Sequence, residues 1–219
     1  MQLEDICKTY REGSDDRPVL RHASLELPRG QMASLTGVSG SGKSTLISLL
    51  AGLMLPDSGR VVFDGEEITE LDDVARARLR ARRVGMVLQS GNLIPFLTAQ
   101  QNVELAMEFG GGHDRGDRAK ELLSELGLGD RLHHVPARMS GGEAQRVSVA
   151  MAMANEPDLL LADEATGQLD SANGEQVLSV IFDAWRRLGV TVLFVTHNHD
   201  LAARAERCLV LEDGTVRDR

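Results

Sequence analysis

Short apolar runs recur along the chain and predict β-strands. Several of these runs are continuously hydrophobic, as expected of strands that are buried on both faces of a sheet. The predicted strands cover residues 1–6, 24–27, 32–35, 61–63, 84–88, 159–162, 192–195 and 208–211. Helical periodicity appears between them, most clearly in an apolar stripe formed by Val177, Val180, Ile181, Ala184, Trp185 and Leu188. Strands that alternate with helices indicate an α/β fold with a largely parallel central sheet.

The middle of the chain has a different pattern. Residues 97–134 show helical segments without a convincing strand, and they include the turn Gly110-Gly111-Gly112. We therefore predict a mostly helical insertion at about residues 97–155, within a single domain that spans residues 1–219.

Residues 72–83 carry five arginines, namely Arg76, Arg78, Arg80, Arg82 and Arg83. One interpretation is a contact with anions such as lipid headgroups. The other is a solvated helix face with Ala75 and Leu79 turned inward. We favour the second, because the arginines are spread around the helix rather than confined to one side.

The composition limits the class of protein. Hydrophobic residues make up 42% and charged residues 26%, as in ordinary globular proteins. The 33 acidic and 24 basic residues give a net charge of −9, which argues against non-specific DNA binding. No apolar run approaches the roughly 20 residues of a membrane span, and the acidic N-terminus is unlike a signal peptide. We expect a cytosolic protein.

The two cysteines, Cys7 and Cys208, are far apart in the sequence and lack C-x-x-C spacing. This excludes a disulfide scaffold and argues against a cysteine metal site. We expect both thiols to be reduced.

The strongest motif is a phosphate-binding loop that follows a predicted strand and precedes an apolar helix. It matches G-x-x-x-x-G-K-[ST] and consists of Gly37, Val38, Ser39, Gly40, Ser41, Gly42, Lys43, Ser44 and Thr45. The glycines let backbone N–H groups approach phosphate oxygens, and the helix N-terminus adds partial positive charge. Lys43 can reach the phosphates and the Ser44 hydroxyl can ligate Mg²⁺. The motif predicts nucleotide binding but leaves the class of NTPase open.

Two carboxylates, Asp163 and Glu164, follow the predicted strand at residues 159–162. In a phosphate-loop protein, an aspartate at such a strand end can hold Mg²⁺, directly or through water. A glutamate beside it can orient or deprotonate the attacking water. Taken alone, the pair would be a strand that ends in solvated acids, and the phosphate loop favours the functional interpretation.

A second glycine motif, Ser140-Gly141-Gly142-Glu143, precedes an apolar helix at residues 147–154. Ser140 and Glu143 have the S-x-x-E spacing of a capping box. Two glycines in the first turn cost about 1 kcal/mol each, which is poor design for a cap alone. They would also let an anion approach the free N–H groups of the helix.

The order of these motifs resembles the ATP-binding subunit of ABC transporters over essentially the whole chain. The ordered features are the phosphate loop, Gln89, the motif at residues 140–143, Asp163-Glu164 and His197. The resemblance implies a P-loop NTPase core with an N-terminal antiparallel β-subdomain and a helical insertion. It also implies ATPase activity with ATP and Mg²⁺ as cofactors.

Residue roles carry over by position. The resemblance implies that Tyr10 stacks on adenine and that residues 37–45 are the Walker A loop. Gln89 would contact Mg²⁺ and the lytic water, and Ser140, Gly141, Gly142 and Glu143 would form the signature motif. Asp163 and Glu164 would be the Walker B pair, residues 167–170, which end at Asp170, the D-loop, and His197 the switch histidine. Without this motif order, His197 would be interpreted as an ordinary strand-end histidine.

The family's partners carry over as well. The resemblance implies an ATP-dependent head-to-tail homodimer, with ATP between the Walker A loop of one subunit and the signature helix of the other. It implies an integral-membrane permease as partner and a peripheral location at the cytoplasmic face of the inner membrane. Residues 89–95, 97–103 and 166–170 are most similar to lipoprotein-release, macrolide-export and cell-division ATPases. Gly91, Met139 and Ala165 depart from the usual pattern.

Two other functions remain open from the sequence. One is a soluble ABC ATPase, for example in iron–sulfur assembly or DNA repair, which the lack of a second cassette and of basic charge argues against. The other is a small-molecule P-loop kinase, which would need neither the motif at residues 140–143 nor His197. Residues 93–97 are also ambiguous, since this apolar segment can line a groove for a membrane-domain helix or pack between core and insertion.

Overall fold

The structure is a computed structural model that describes residues 1–13, 15–89, 93–112, 115–165 and 171–219. Its strands are β1 (Gln2–Glu12), β2 (Asp15–Glu26), β3 (Met32–Thr36), β4 (Ser58–Phe63), β5 (Glu66–Glu67), β6 (Val84–Val87), β7 (Leu159–Asp163), β8 (Thr191–Val195), β9 (Arg207–Glu212) and β10 (Thr215–Asp218). Its helices are α1 (Lys43–Leu50), α2 (Asp73–Arg83), α3 (Ala99–Gly110), α4 (Arg115–Glu125), α5 (Gly141–Met153), α6 (Ser171–Leu188) and α7 (His199–Ala202).

The central sheet has the strand order β10-β9-β3-β8-β7-β6. Strands β9, β3, β8, β7 and β6 are parallel to their neighbours, and only the edge strand β10 pairs antiparallel. The predicted largely parallel sheet is therefore confirmed. Parallel strands end at the same edge of a sheet, so the segments that follow β3, β6, β7 and β8 all start from one edge.

A second sheet, with the order β2-β1-β4-β5, is antiparallel throughout. It is the N-terminal antiparallel subdomain that the resemblance implied. Strand β2 begins nine residues before the predicted strand at 24–27, because residues 15–23 are largely exposed and polar and lack an apolar pattern. The short strands β5 and β10 were also not predicted.

Three hydrophobic clusters hold the layers together. The first lies between the two sheets and includes helix α1, and the second lies between the other face of the central sheet and helix α6. Alternation along β7 shows the division, since Leu161 faces the first cluster and Leu160 the second. The third cluster lies among α3, α4 and α5.

Between β6 and β7 the described residues form the helices α3, α4 and α5 and two 3-10 turns, Gly129–Arg131 and Pro136–Arg138, and no strand. Helix α5 belongs to two clusters. Its Val149 packs with the α/β core, and its Val147 packs with the other helices of this segment. The position of α5 therefore depends both on the α/β core and on the other helices of this segment.

The arginine-rich helix α2 buries part of its charge. Ala75 and Leu79 are partly buried, as predicted. Arg80, however, donates to the carbonyl of Gly52 at 3.1 Å. Arg83 donates to two carboxylates at 2.7 Å each, those of Asp64 and Asp158. The prediction of a simply solvated arginine face is corrected, because these side chains fasten the helix to the core.

Cys7 and Cys208 are both free thiols. Among the described residues, no helix has the length and apolar character needed to cross a bilayer.

Candidate functional site

The phosphate loop connects β3 to α1 in a conformation that only glycine fits at two points. A Cβ atom on Gly37 would lie 2.6 Å from the carbonyl oxygen of Leu211, and one on Gly42 would lie 2.6 Å from Cγ1 of Val19. Gly42 also has a φ of 104°, in the region that side chains disfavour. These glycines bring the loop backbone close to its neighbours and leave its outer side open for a ligand.

Lys43 lies within the loop and is only 6% exposed. Its Nζ donates to the carbonyls of Gly37 and Val38, at 2.9 Å each. Ser41 Oγ is buried and has no hydrogen-bond partner among the described residues. A buried ammonium and an unpaired hydroxyl in one loop fit the oxygens of a polyphosphate.

A pocket of about 300 Å³ opens over this loop. Its lining includes Ser39, Gly40, Gly42, Lys43, Ser44 and Thr45 of the loop, together with Tyr10, Arg17, Val19, Glu164 and His197. Residues from five separate parts of the chain thus meet in one place, and several of them are predicted site residues.

Tyr10 is 37% exposed at the edge of the pocket. Its hydroxyl forms a hydrogen bond with Thr45 Oγ1 at 3.2 Å and donates to the Met54 sulfur at 3.6 Å. The phenol tip is thereby fixed to the loop helix while the ring lines the pocket. An anchored aromatic ring at the pocket edge is suited to stacking on a planar base.

Arg17 and Val19 are pocket residues that the sequence analysis missed. Both lie on β2, and the strand register places Arg17 opposite Tyr10. The sequence contained a weak indication of this, since a hairpin turn at Gly13 would pair Tyr10 with Arg17. Arg17 adds a cationic group to the pocket, and Val19 packs against Gly42.

Glu164 and His197 face each other across neighbouring strands. Glu164 Oε1 lies 2.5 Å from His197 Nε2, with the two side chains 23% and 49% exposed. Strand β7 pairs with β8 so that Asp163 is opposite Val195, which brings the residues after both strands together. Glu164 has a φ of 47°, an uncommon left-handed conformation for a residue with a side chain.

The turn after β8 fixes His197. The backbone N–H of Thr196 donates to the carbonyl of Leu35 at 3.2 Å, and its Oγ1 accepts from the N–H of Asn198 at 3.1 Å. Asn198 in turn caps α7. The histidine therefore stands between two anchored residues.

Gln89 and Asp163 lie at the same sheet edge. Strands β6 and β7 are paired through Val87 and Ala162, so both segments leave the sheet side by side. Gln89 is exposed and Asp163 is partly buried, and neither residue lines the pocket. The described residues contain no group of three or more His, Cys, Asp or Glu side chains able to hold a metal ion by themselves. Ser44, Gln89 and Asp163 each carry an oxygen donor of the kind that Mg²⁺ takes, and Mg²⁺ usually has few protein ligands beside phosphate and water.

The predicted capping box at the start of α5 is confirmed. Ser140 Oγ accepts from the N–H of Glu143 at 3.2 Å, and Glu143 Oε2 accepts from the N–H of Ser140 at 2.8 Å. Glu143 Oε1 accepts from Arg131 Nε at 2.8 Å. The Ser140 N–H, followed by the Arg131 guanidinium, lowers the pKa of the Glu143 carboxyl to about 2. Glu143 therefore uses both oxygens within the chain and stays ionised.

The start of α5 is separated from the pocket. Ser140 and Gly141 are exposed, and none of the residues 140–143 is among the described residues that line the pocket. A single chain thus gathers the phosphate loop, Tyr10, Glu164 and His197, and presents the motif at residues 140–143 elsewhere on its surface. Asp170, with the rest of the predicted D-loop, and Gly91 lie outside the described residues.

The apolar segment at residues 93–97 divides between its two interpretations. Leu93 packs against the cluster of helices α3, α4 and α5. Ile94 is held by the buried side chain of Asn102, which accepts from its N–H at 2.8 Å. Phe96 is 78% exposed. One end of the segment is therefore core, and the other offers an aromatic ring to the surface.

Comparisons with known proteins agree with the resemblance that the sequence motifs indicated. Residues 20–167 match the family model described as ABC transporter. YbbA of Escherichia coli (strain K12), described as an uncharacterized ABC transporter ATP-binding protein, is 44% identical over 100% of this chain and 96% of its own length. The macrolide export ATP-binding/permease protein MacB of Syntrophobacter fumaroxidans is 43% identical over 99% of this chain, which spans only 31% of that relative.

A comparison with solved structures also matches the chain to an ATP-binding cassette. The ATP-binding cassette MJ0796, in a dimeric post-hydrolysis state bound to ADP and Pi, matches with a TM-score of 0.93 and 37% identity. The match covers 100% of this chain and 97% of that one. The predicted fold and the predicted exporter-type group are thereby confirmed. The chain belongs to the ABC transporter family.

Proposed function

We propose that this cassette binds Mg-ATP in the pocket over the phosphate loop and uses its hydrolysis to drive a membrane exporter or a related mechanotransmitting complex. The observation that carries the proposal is the contact between Glu164 and His197 at the pocket that also contains Lys43. A carboxylate, a histidine and a buried ammonium at one phosphate loop can orient an attacking water and bind the phosphates, as phosphoryl transfer to water needs.

Each side chain has a role in this proposal. Lys43 and the loop N–H groups bind the β- and γ-phosphates, and Tyr10 stacks on the base. Glu164 orients or deprotonates the attacking water, and His197 holds the Glu164 carboxylate in position. Bound Mg²⁺ would be held by Ser44, with Gln89 and Asp163 nearby, and would supply charge neutralisation at the phosphates.

We infer that two copies pair head to tail, with the start of α5 of one copy facing the phosphate loop of the other. The exposed Ser140 and Gly141 and their separation from the pocket of their own chain support this arrangement. Glu143 then acts through Ser140, because it keeps the serine and the helix start in place. The structurally similar cassette MJ0796 is described as a dimer. Asp170 is proposed to contact this interface.

A cleft of about 740 Å³ lies between α2, β6, α3 and α5, and we propose that it receives a helix of the permease. Its lining includes apolar side chains, of which Val74 and Phe109 are 57% and 70% exposed. Arg78, Arg80 and Arg82 border the same cleft. An amphipathic helix with acidic residues beside its apolar face would complement this surface. Docking there would keep the cassette at the cytoplasmic face of the inner membrane.

The alternative of an ABC ATPase uncoupled from transport has less support. The named relatives are transporter components, and MacB combines its ATP-binding region with a permease. No observation on this chain favours iron–sulfur assembly, DNA repair or a small-molecule kinase.

The variant Glu164→Gln tests the catalytic part of the proposal. It removes the carboxylate charge with little change in shape, so we expect turnover to fall by about two orders of magnitude or more while ATP still binds. ATP should then hold the variant as a dimer, measured by light scattering with and without nucleotide. Hydrolysis at the wild-type rate would remove Glu164 from its catalytic role.

A further inference from the structure

A buried amide links helix α5 to the segment that carries Gln89. Gln145 lies in the second turn of α5 and is 8% exposed. Its Nε2 donates to the carbonyl of Leu88 at 3.0 Å. Leu88 immediately precedes Gln89, so one hydrogen bond connects the helix that begins after Ser140 with a proposed water-contacting and Mg²⁺-contacting residue.

The spacing makes this a short connection. Gln145 is five residues from Ser140, which is about 7.5 Å along a helix axis. The carbonyl of Ser140 accepts from the N–H of Ala144 at 2.9 Å, so Ser140 and Gln145 are joined through the helix backbone and the hydrogen bond to Leu88 constrains both. A buried amide that loses its partner is costly, and the contact therefore resists separation of α5 from the end of β6.

A second contact at the far end of α5 provides a comparison. Asn155, just after the helix, donates through Nδ2 to the carbonyls of Ala81 and Ala106 at 2.9 and 2.8 Å. This amide also fixes α5, but its partners lie in α2 and α3. Amide-to-carbonyl hydrogen bonds thus hold α5 near both of its ends. Only the bond near Ser140 has a partner, Leu88, that is next to Gln89 in the sequence.

We propose that Gln145 is a positioning residue that makes Gln89 and Ser140 move together. Gln89 serves the nucleotide of its own chain, and Ser140 serves that of the partner copy, so Gln145 couples the two composite sites of the dimer. The inference rests on the proposed function, because it assumes those roles for Gln89 and Ser140. It assigns Gln145 no contact with nucleotide.

The test is a double-mutant cycle on ATP turnover by the full chain. Gln145→Leu keeps the size of the side chain and removes the donor, and we expect kcat to fall about tenfold with ATP affinity unchanged, as for one lost buried hydrogen bond. In a Gln89→Ala background the same substitution should change kcat less than about twofold, because the coupled residue is already gone. A further tenfold loss in that background would overturn the proposal.

Asn155→Ala is the matched control. It removes amide-to-carbonyl bonds just beyond the end of the same helix. Thermal unfolding should show a loss of stability comparable to that of Gln145→Leu. The factor by which Gln89→Ala lowers kcat should be the same with and without Asn155→Ala. If both variants lower kcat in proportion to their loss of stability, Gln145 is only structural. Gln145→Asn, whose shorter side chain cannot reach Leu88 in the same way, serves if the leucine variant does not fold. If Gln89→Ala and Glu164→Gln both retain wild-type turnover, the proposed function fails instead.

Discussion

At the scale of single residues, the site depends on how the chain itself holds its charged groups. Lys43 is buried with its ammonium on two backbone carbonyls, so its position is set by the loop itself. Glu164 is held in an uncommon backbone conformation and against His197. These groups are thus positioned by the chain itself, which lowers the cost of ordering them on binding.

Lys43→Ala should abolish tight ATP binding. The polyphosphate would lose several charge-assisted hydrogen bonds together, so we expect the Kd for a non-hydrolysable analogue to rise about a hundredfold or more in isothermal titration. Lys120→Ala, which changes an exposed lysine in α4, should leave the Kd unchanged. Equal affinity of the Lys43 variant and the wild type would remove the phosphate loop from the account.

Residue identities near the site were predictable where one local segment contains the whole motif. The phosphate loop and the capping box of Ser140 and Glu143 are of this kind, because their partners are at most a few residues apart. Arg17 was missed because it reaches the pocket through strand pairing with β1, and its own neighbours are polar and exposed. Pairing between strands cannot be derived from a single strand without an apolar pattern.

At the scale of elements, helix α5 is the central structural member. It packs with the core and with α3 and α4, and it begins at the exposed motif of residues 140–143. Its N-terminus is held by the capping box and by Arg131. The position of this helix start therefore depends on a charged carboxylate and on close packing against β6.

The stabilising effect of Glu143 should depend on pH. Its pKa is lowered to about 2 in the folded chain from an ordinary value of 4.5, so its contribution is complete above pH 4.5 and is lost as the pH falls toward 2. The difference in unfolding free energy between the wild type and Glu143→Gln should be largest above pH 5 and shrink through this window. Denaturant unfolding at several pH values measures it.

The control for this prediction is Glu121→Gln, since the ion pair of Glu121 with Arg118 is exposed and worth little. That variant should unfold like the wild type at every pH. A difference between the wild type and Glu143→Gln that is constant from pH 2 to pH 6 would contradict the proposed charge dependence.

Gly85→Ala should destabilise the contact between α5 and β6. A Cβ atom at Gly85 would lie 2.3 Å from the carbonyl oxygen of Ala152, so helix and strand must separate, at a cost of about 1–3 kcal/mol. Gly116→Ala in α4 is the control, because its Cβ would meet nothing closer than 3.6 Å, and it should be neutral or stabilising. Thermal unfolding compares the two, and equal midpoints would argue against close packing at Gly85.

Among the strands and helices, too, those with a local sequence pattern were predicted and those that depend on distant partners were missed. Strands β3, β7 and β8 were predicted because they are buried on both faces and predominantly apolar. The first nine residues of β2 and the short strands β5 and β10 were missed, since antiparallel edge pairing needs no apolar run. The clamping of α2 by Arg80 and Arg83 was also missed, because their partners lie far away in the sequence.

At the scale of the whole molecule, the proposed head-to-tail dimer would have each chain supply one half of each of two sites. The pocket holds the phosphate loop with Glu164 and His197, and the motif at residues 140–143 is exposed elsewhere. A head-to-tail dimer would join each half to its complement and make ATP part of the interface. Hydrolysis would then weaken the interface and shift the population of dimers, a change that an attached permease can follow.

The most direct measurement of this central claim is the ATPase activity of a mixture of two inactive variants. Lys43→Ala keeps an intact motif at residues 140–143, and Ser140→Arg keeps an intact phosphate loop. A mixed dimer contains one complete composite site, so the account predicts turnover clearly above the sum of the two separate variants. Activity that equals this sum, with mixed dimers confirmed by native mass spectrometry, would contradict the head-to-tail composite site.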